Sequence, residues 1–260
     1  IKGAKKNPTG SLDSYWKGRA DIVTPKFDAL DFSGVTDLQN AFYQNTSLTS
    51  FSPDINLANV TSFYFAWTSS GLTSFPAIAL TAGTTFSNAW SGCTSLTSFL
   101  ATGLDSGTNF QSAWQGCSAL ATFPAIPLTA GTSFANAWMN CTSLTSFLAT
   151  DFTAGVNFSQ AWENVESLTT FPAIAFPSAT TFSYAWRYCD GMTTFLATGL
   201  DSGTTFLQAW YLDTALTEMP AIPLTAGLEF TSAWSGCTAL TSFLATGLDS
   251  GTNFSSTWQN

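Results

Sequence analysis

The feature that most constrains this chain is a repeat of 24 residues that runs from about residue 30 to the last residue. One unit reads FLATGLDSGTNFQSAWQGCSALAT and begins at Phe99. Phenylalanine recurs at its first position from Phe51 to Phe243, with Met219 as the one exception, and tryptophan recurs at one later position through Trp258. A unit this short cannot bury an apolar face alone, so it needs a neighbour on each side. The repeat predicts a solenoid of about nine to ten coils over residues 30–260.

The unit carries the spacing of a short helix followed by a short strand. Its apolar residues lie at i, i+3, i+4 and i+7, which predicts one buried helical face: Phe110, Ala113, Trp114 and Cys117. Leu120 and Phe123 then lead into Pro124–Ile126, where a short parallel strand is expected. The predicted fold is an α/β solenoid with aromatic side chains stacked in its core.

A second period, of 48 residues, lies over the first. Units that begin FPAI alternate with units that begin FLAT. Because side chains alternate along a strand, Phe99 and Ala101 are expected inward, and Leu100 and Thr102 outward. The outward positions form a possible apolar interaction stripe: Pro76, Ile78, Leu100, Pro124, Ile126, Leu148, Pro172, Ile174, Leu196, Pro220, Ile222 and Leu244. The alternatives are a register slipped by one residue, or a strand corner that is buried on both sides.

Residues 1–29 do not follow the repeat, and we interpret them as an N-terminal cap that covers the first coil. Six of the seven basic residues lie in the first 26 positions, where they give a net charge of +4, and the rest of the chain carries −13. A separate binding role for these lysines is the alternative. The repeats are poor phosphate binders, so no nucleic-acid partner is expected. No stretch approaches twenty apolar residues, so no membrane span is predicted.

Neither a catalytic site nor a metal site is expected. The chain has no histidine, the commonest general base and metal ligand. All five cysteines occupy one repeat position, which Val165 and Asp213 fill in other units, so a small buried residue is the leading interpretation. A disulfide among the first three cysteines, or a metal ion, is the alternative. We expect a protein that is not an enzyme and that has no cofactor.

The repeat breaks its own pattern at one place, the corner that follows the tryptophan in the middle units. Most units have Ser-Gly, Gln-Gly or Met-Asn there, whereas three consecutive units differ. Residues 24 apart stack, so these side chains should form an outward row with Glu166 beside Asp190 and an ion pair at Arg187. We predict that this corner carries binding specificity, with sequence drift or a cation site at the two acids as alternatives. The candidate residues are Glu163, Glu166, Arg187, Tyr188, Asp190, Tyr211, Leu212 and Asp213.

The pattern G-[VT]-x-[LF]-x-x-A-[FW]-x-x-[CN]-x-[SA]-L-T-[ST]-F, clearest in residues 34–51, 83–99 and 107–123, resembles the BspA-type leucine-rich repeats of bacterial, mycoplasmal and protist surface proteins. Similar repeats that contain tryptophan occur in marine phage tail proteins. The chain departs from that family by using Trp where Phe is common and Phe where Leu or Ile is usual. The resemblance implies a leucine-rich-repeat-like α/β solenoid, located extracellularly, on a cell surface or on a virion. It implies adhesion or recognition of a host or partner, a protein or a glycan, without catalytic residues.

Self-assembly is the alternative function. The sequence stops in mid-coil at Trp258-Gln259-Asn260, and an acidic last coil that met the basic first segment of another copy would build a head-to-tail extracellular filament. Truncation explains the same ending equally well.

Overall fold

The computed structural model describes residues 8–21 and 31–259, and this part of the chain winds into stacked coils. Strands of neighbouring coils pair in parallel between residues 24 apart, as Phe75 does with Phe99. The chain is therefore a repeat solenoid, as the sequence predicts. Within the described ranges the strands are β1 (Thr9–Ser11), β2 (Gly34–Asp37), β3 (Ser74–Phe75), β4 (Ser98–Phe99), β5 (Thr122–Phe123), β6 (Ser146–Phe147), β7 (Thr170–Phe171), β8 (Thr194–Phe195), β9 (Glu218–Met219) and β10 (Ser242–Phe243).

A second point of parallel pairing runs through the stack without interruption. Single bridges join one residue per coil, from Asp37–Ser62 through Thr85–Asn109 to Glu229–Asn253. Neighbouring parallel strands lie about 4.8 Å apart, so each coil adds about that length to the stack.

The segment that was predicted as a helix is a run of tight turns, and the helix prediction is wrong. Alternate N–H groups bond within the coil, as from Ala113 to the carbonyl of Phe110 at 3.0 Å. The others bond to the next coil, as from Trp114 to the carbonyl of Ala137 at 2.9 Å. An α-helix would use all of these donors internally and leave none to join the coils. The one helical element in the described ranges is a 3₁₀ turn at Leu248–Ser250.

Residues with a left-handed backbone conformation produce these turns. Ser112 and Gly116 have φ of 54° and 71°, and each is the third residue of a turn closed by a hydrogen bond from residue i+3 to residue i. Positive φ at that position is what a type II turn requires. The spacing still places the predicted side chains inside, because Phe110, Ala113, Trp114 and Cys117 are all fully buried.

Columns of aromatic rings fill the core. The tryptophans from Trp67 to Trp234 are at most 1% exposed, and the rings of Trp114 and Trp138 stack with centroids 5.5 Å apart. Each also meets a strand phenylalanine edge-on, as Trp114 meets Phe123 at 4.8 Å. Offset-stacked and edge-on pairs add about 0.5–1.5 kcal/mol each beyond the burial of their area. Trp16 continues this column by stacking on Phe42 at 4.9 Å.

The segment interpreted as an N-terminal cap is only partly described. Its described part joins the stack through β1, which pairs with β2. Residues 1–7 and 22–29 of the predicted cap lie outside the described residues. The boundary at residue 29 stays a prediction.

The four isoleucines of the predicted outward stripe, a third of its residues, face the core, so the expectation for them is wrong. The N–H of Ile78 bonds the carbonyl of Pro76 at 2.8 Å and closes a three-residue turn that projects Ala77 outward. This turn reverses the alternation that a continuous strand would keep, and Ile78 is 2% exposed. Equivalent turns bury the other three isoleucines of the stripe: Ile126, Ile174 and Ile222.

Proline divides the strands into pairs of coils. The N–H of Leu100 bonds the carbonyl of Phe75 at 2.9 Å, but the next equivalent residue is Pro124, which has no N–H. Strands consequently pair as β3–β4, β5–β6, β7–β8 and β9–β10. The spacing of the phenylalanine rings alternates in the same way. Their centroids are 5.4 Å apart within the pair Phe123–Phe147 and 6.3 Å apart at the next junction, Phe147–Phe171. The coils are looser at every second junction.

Candidate functional site

The second residue of the irregular corner has positive φ in each coil. The occupant is glycine in three regular units, asparagine in two others, and Gln44 or Ser69 in the first two coils. In the middle coils the same position holds Tyr188 at φ 63° and Leu212 at φ 62°. A side chain with a Cβ pays roughly 1–2 kcal/mol for this conformation. The middle coils therefore differ from the others in the size of the side chain at this position, and they share its positive φ.

A buried ion pair lies beneath this corner. Arg187 Nε donates to Glu163 Oε1 at 3.0 Å, and Arg187 Nη2 forms a salt bridge to the same oxygen. The other oxygen of Glu163 accepts from Gln160 Nε2 at 2.8 Å, while Arg187 Nη1 donates to Gln208 Oε1 at 3.2 Å. The Glu163 side chain is 3% exposed and that of Arg187 is 23% exposed. Glu163 therefore faces inward, against the expectation of an outward row, and its carboxylate is bonded by Gln160 of its own coil and Arg187 of the next coil.

Tyrosine rings surround the guanidinium group. The Arg187 guanidinium carbon lies 4.6 Å from the ring centroid of Tyr184 and 5.1 Å from that of Tyr188. Tyr188 in turn meets Tyr211 edge-on at 5.8 Å. All four side chains are partly exposed. We call this set, Tyr184, Arg187, Tyr188 and Tyr211, the aromatic corner.

The remaining candidate residues lie around the aromatic corner in different environments. Glu166 and Asp190 are exposed, and Leu212 is half-buried with its side chain directed toward Gly236 of the next coil. Across the described part of the chain, no group of three or more His, Cys, Asp or Glu side chains could hold a metal ion.

Asp213 cannot contact a ligand, which corrects its inclusion among the binding residues. It is fully buried, and its Oδ1 accepts the N–H of Cys189 at 2.8 Å. Burial raises the pKa of this carboxyl well above its usual range; the hydrogen bond from Cys189 opposes that rise, and the nearby charge of Asp190 adds to it. Asp213 stands at the cysteine position of the repeat, so its side chain lies beside Cys189 and Cys237 of the two neighbouring coils.

The cysteines are buried free thiols. Each donates to a tryptophan carbonyl of the preceding coil, as Cys117 Sγ does to the oxygen of Trp90 at 3.2 Å. Burial raises the pKa of Cys93 to about 11 and that of Cys141 to about 12. These thiols are structural hydrogen-bond donors, in agreement with the leading interpretation of the sequence.

Two clefts open on the strand face, the outward surface formed by the strands and the four residues after each. The larger has a volume of 480 Å³ and lies between Leu148 and Pro172, with Asp151 in its wall. The smaller has a volume of 260 Å³, and its wall includes Leu196, Glu218 and Pro220. Both clefts lie at loose junctions between coil pairs. Leu148 and Leu196 are 50% and 44% exposed, so this part of the predicted stripe is accessible.

Several residues of these surfaces were not predicted from the sequence. Tyr184 belongs to the aromatic corner, and Gln208 accepts a hydrogen bond from its arginine. Asp151 and Glu218 give the clefts their charge. Three of these four residues could have been found in the sequence as departures from the repeat. Tyr184 occupies a position where most coils have Ser, Asn or Gln, and Asp151 a position where three coils have Gly. Glu218 occupies a position where the other coils have Ser or Thr.

Comparison with known proteins gives limited information. No family model matches the chain, and no curated protein matches it. Among solved structures, a leucine-rich cell surface protein from Faecalibacterium prausnitzii A2-165 is similar at 15% sequence identity and a TM-score of 0.36, over 95% of this chain and 86% of that one. A similarity of this size does not indicate a shared ligand. No helix within residues 8–21 and 31–259 has the length and apolar character needed to cross a bilayer.

Proposed function

We propose that this protein is a non-enzymatic repeat protein of a cell or virion surface that recognises a protein or glycan through the aromatic corner. The observation that carries the proposal is a side-chain cluster that replaces the Ser-Gly, Gln-Gly or Met-Asn of regular coils. Arg187, held by Glu163, lies against the rings of Tyr184 and Tyr188. Tyr188 meets Tyr211 edge-on, and all three rings are partly exposed.

The chemistry of the aromatic corner suits recognition. Tyrosine and arginine are the side chains most enriched where binding energy concentrates, because they present large rigid surfaces with polar ends. Arg187 is fixed by Glu163 and Gln208, so the rings packed on it are held in place before a ligand arrives. Such preorganisation lowers the entropic cost of binding.

The experiment replaces Tyr188 by Gly and Tyr211 by Ser, the residues that regular coils carry. Both variants keep the Arg187–Glu163 pair, and Tyr188→Gly also relieves strain, so neither should lower the melting temperature. We expect each to reduce attachment of the labelled protein to host cells or a glycan array by at least about tenfold, the effect of losing roughly 1.4 kcal/mol.

The matched control is Tyr64→Ser, which removes a 39%-exposed tyrosine from an early coil at a position where all later coils but one carry a small or polar residue. Unchanged attachment by the Tyr188 and Tyr211 variants, or equal loss in the control, contradicts the proposal. Arg187 is unsuitable for this test because its removal would leave the Glu163 carboxylate buried without a cation, at a cost of about 3–5 kcal/mol. The filament alternative stays a prediction that light scattering at increasing protein concentration tests.

A further inference from the structure

A row of buried side chains at the cysteine position joins neighbouring coils. Each of the five thiols donates to the carbonyl of a tryptophan in the preceding coil, with sulfur–oxygen distances between 3.0 and 3.2 Å. The same carbonyl accepts a backbone N–H of its own coil, as the oxygen of Trp114 does from Cys117 at 3.1 Å. The tryptophan carbonyl in this row is therefore an acceptor for two donors, one from its own coil and one from the next.

Asp213 interrupts this row, because it stands where the regular coils supply a donor to the carbonyl of the preceding tryptophan, here Trp186. That carbonyl accepts the N–H of Cys189 at 3.2 Å, but no thiol follows to make the second bond. Asp213 Oδ1 accepts the same N–H at 2.8 Å, whereas Oδ2 meets no donor among the described residues, although the side chain is fully buried. An ionised carboxyl group would leave a buried anionic oxygen without a hydrogen bond, which is strongly unfavourable.

One proton on Asp213 removes both deficits. A neutral carboxylic acid keeps Oδ1 as the acceptor for Cys189 and converts Oδ2 into an O–H donor, which takes the place of the thiol in the regular coils. We propose that Asp213 is held as a neutral acid whose proton is donated to the carbonyl of Trp186, and that its ionisation loosens the junction between these two coils.

The groups around Asp213 favour the neutral acid from both sides. The preceding coil presents Cys189 and the exposed Asp190, and the following coil presents Cys237. None of these three carries a positive charge, and Arg187, the only basic residue in positions 31–259, is engaged in its own ion pair. Burial raises the pKa of Asp213; the hydrogen bond from Cys189 opposes that rise, and the charge of Asp190 adds to it. The electrostatic environment therefore agrees with the hydrogen-bond geometry.

The junction that Asp213 closes also carries part of the aromatic corner. Tyr188 and Tyr211 belong to the two coils that meet there, and their rings lie edge-on with centroids 5.8 Å apart. Tyr188 directly precedes Cys189, the residue whose N–H bonds Asp213. Loosening of the junction releases this ring contact, so the corner is firmest when Asp213 is neutral. The inference concerns the coil junction itself and stands whether or not the aromatic corner binds a ligand.

Hydrogen exchange measures the opening of this junction, and the repeat supplies the reference. The exchange rate of residues 187–192 is divided by that of residues 115–120, the equivalent stretch of a regular coil, so the acceleration of exchange by base cancels. Between the ordinary pKa of 3.8 and the raised value, the closed junction holds one proton more than the open junction. The ratio should therefore rise with pH in the wild type, by up to about tenfold per pH unit, and then level off. Infrared spectroscopy of the wild type should also show the C=O stretching band of a protonated carboxylic acid at neutral pH.

Two variants that cannot ionise test the role of Asp213. Asp213→Asn keeps an acceptor for Cys189 and an N–H donor for the tryptophan carbonyl, and Asp213→Val introduces the residue that the repeat already accommodates at Val165. In both, the exchange ratio should change by less than about twofold over the same pH range, and the acid band should be missing.

The matched control is Asp190→Thr, which removes an exposed carboxylate at a position where most coils have Thr. It should keep the rise of the exchange ratio, and the levelling should come at lower pH because the loss of a like charge lowers the pKa of Asp213. A constant ratio in the wild type overturns the proposal. An equal rise in both non-ionising variants, or absence of the acid band from the wild type, overturns it as well.

Discussion

Asp213 should make the stability of the protein depend on pH in an unusual direction. It is a fully buried carboxyl at a repeat position where five other coils have cysteine. Its Oδ1 accepts the N–H of Cys189, and its Oδ2 has no hydrogen-bond partner among the described residues. The titratable groups that act on this part of the core are Asp190 and the thiols of Cys189 and Cys237, and none of them is a cation. Burial and like charge both favour the protonated acid.

The sign follows from proton counting. Unfolded Asp213 loses its proton near the ordinary value of 3.8, whereas the folded protein retains that proton to a higher pH because the pKa is raised. Between these two values the folded state binds one proton more than the unfolded state. The free energy of unfolding therefore falls as pH rises, by up to about 1.4 kcal/mol per pH unit for this one group. Below the ordinary value both states are protonated and the effect disappears.

The assay compares the wild type with Asp213→Asn and Asp213→Cys by urea unfolding, followed by tryptophan fluorescence, over roughly pH 4 to pH 8. Asparagine keeps an oxygen for the Cys189 N–H and cannot ionise, and cysteine restores the residue that other coils use. All other carboxylates are common to the three proteins, so differences between them isolate Asp213. Both variants should gain stability relative to the wild type as pH rises. If the free energies of unfolding of wild type and variants changed in parallel with pH, Asp213 would not be a buried neutral acid. The same conclusion would follow if the wild type became more stable relative to the asparagine variant as pH rises.

Two further predictions concern the core. Trp138→Ala should lower the free energy of unfolding by about 3–5 kcal/mol because it empties a position between two stacked rings. Trp138→Phe should cost less than half as much, since it keeps a ring and removes an indole N–H that has no acceptor within the described residues. Urea unfolding of both variants and the wild type measures these losses, and equal losses would contradict the stacking argument. The five thiols should resist iodoacetamide at neutral pH in the folded protein and react in denaturant, because all are buried. Mass spectrometry counts the labels, and rapid labelling of the folded protein would show that the coils open.

The repeat allowed the solenoid and its core to be predicted, because a 24-residue period can satisfy its apolar residues only by stacking. The helix was wrong for a reason that periodicity does not reveal. Side chains at i, i+3, i+4 and i+7 lie on the same side of an α-helix. They also lie on the same side of successive tight turns whose third residues have a left-handed conformation. The distinguishing signal was present in Ser112, Gly116, Asn136 and Asn140, residue types that favour turns and tolerate positive φ.

The strand face shows a second limit of pattern reasoning. Alternation predicted Leu100 correctly as exposed, but it placed Ile78 on the same side. Proline does not donate to the ladder, and the three-residue turn after it inserts one residue that changes the phase. Compared with the next coil, the first coil has one extra residue, Ala77, before its inward isoleucine. The next coil has its own extra residue slightly later, Gly103 at φ 68°, so both coils keep a length of 24 residues. Period alone cannot show two shifts that cancel.

Four departures from the repeat lie in one region, and the energetics of a solenoid account for that position. Asp151, Tyr188, Asp213 and Glu218 carry strain, burial or charge that the regular residues would remove, and all lie between positions 151 and 218. The stability of a repeat protein is close to a sum of coil terms and nearest-neighbour terms, so a weakened coil persists when regular coils cover both of its faces. Coils near an end of the stack lack one such neighbour. A recognition surface that carries strain is therefore best tolerated in the interior of the stack, where the aromatic columns on both sides hold each altered coil in register.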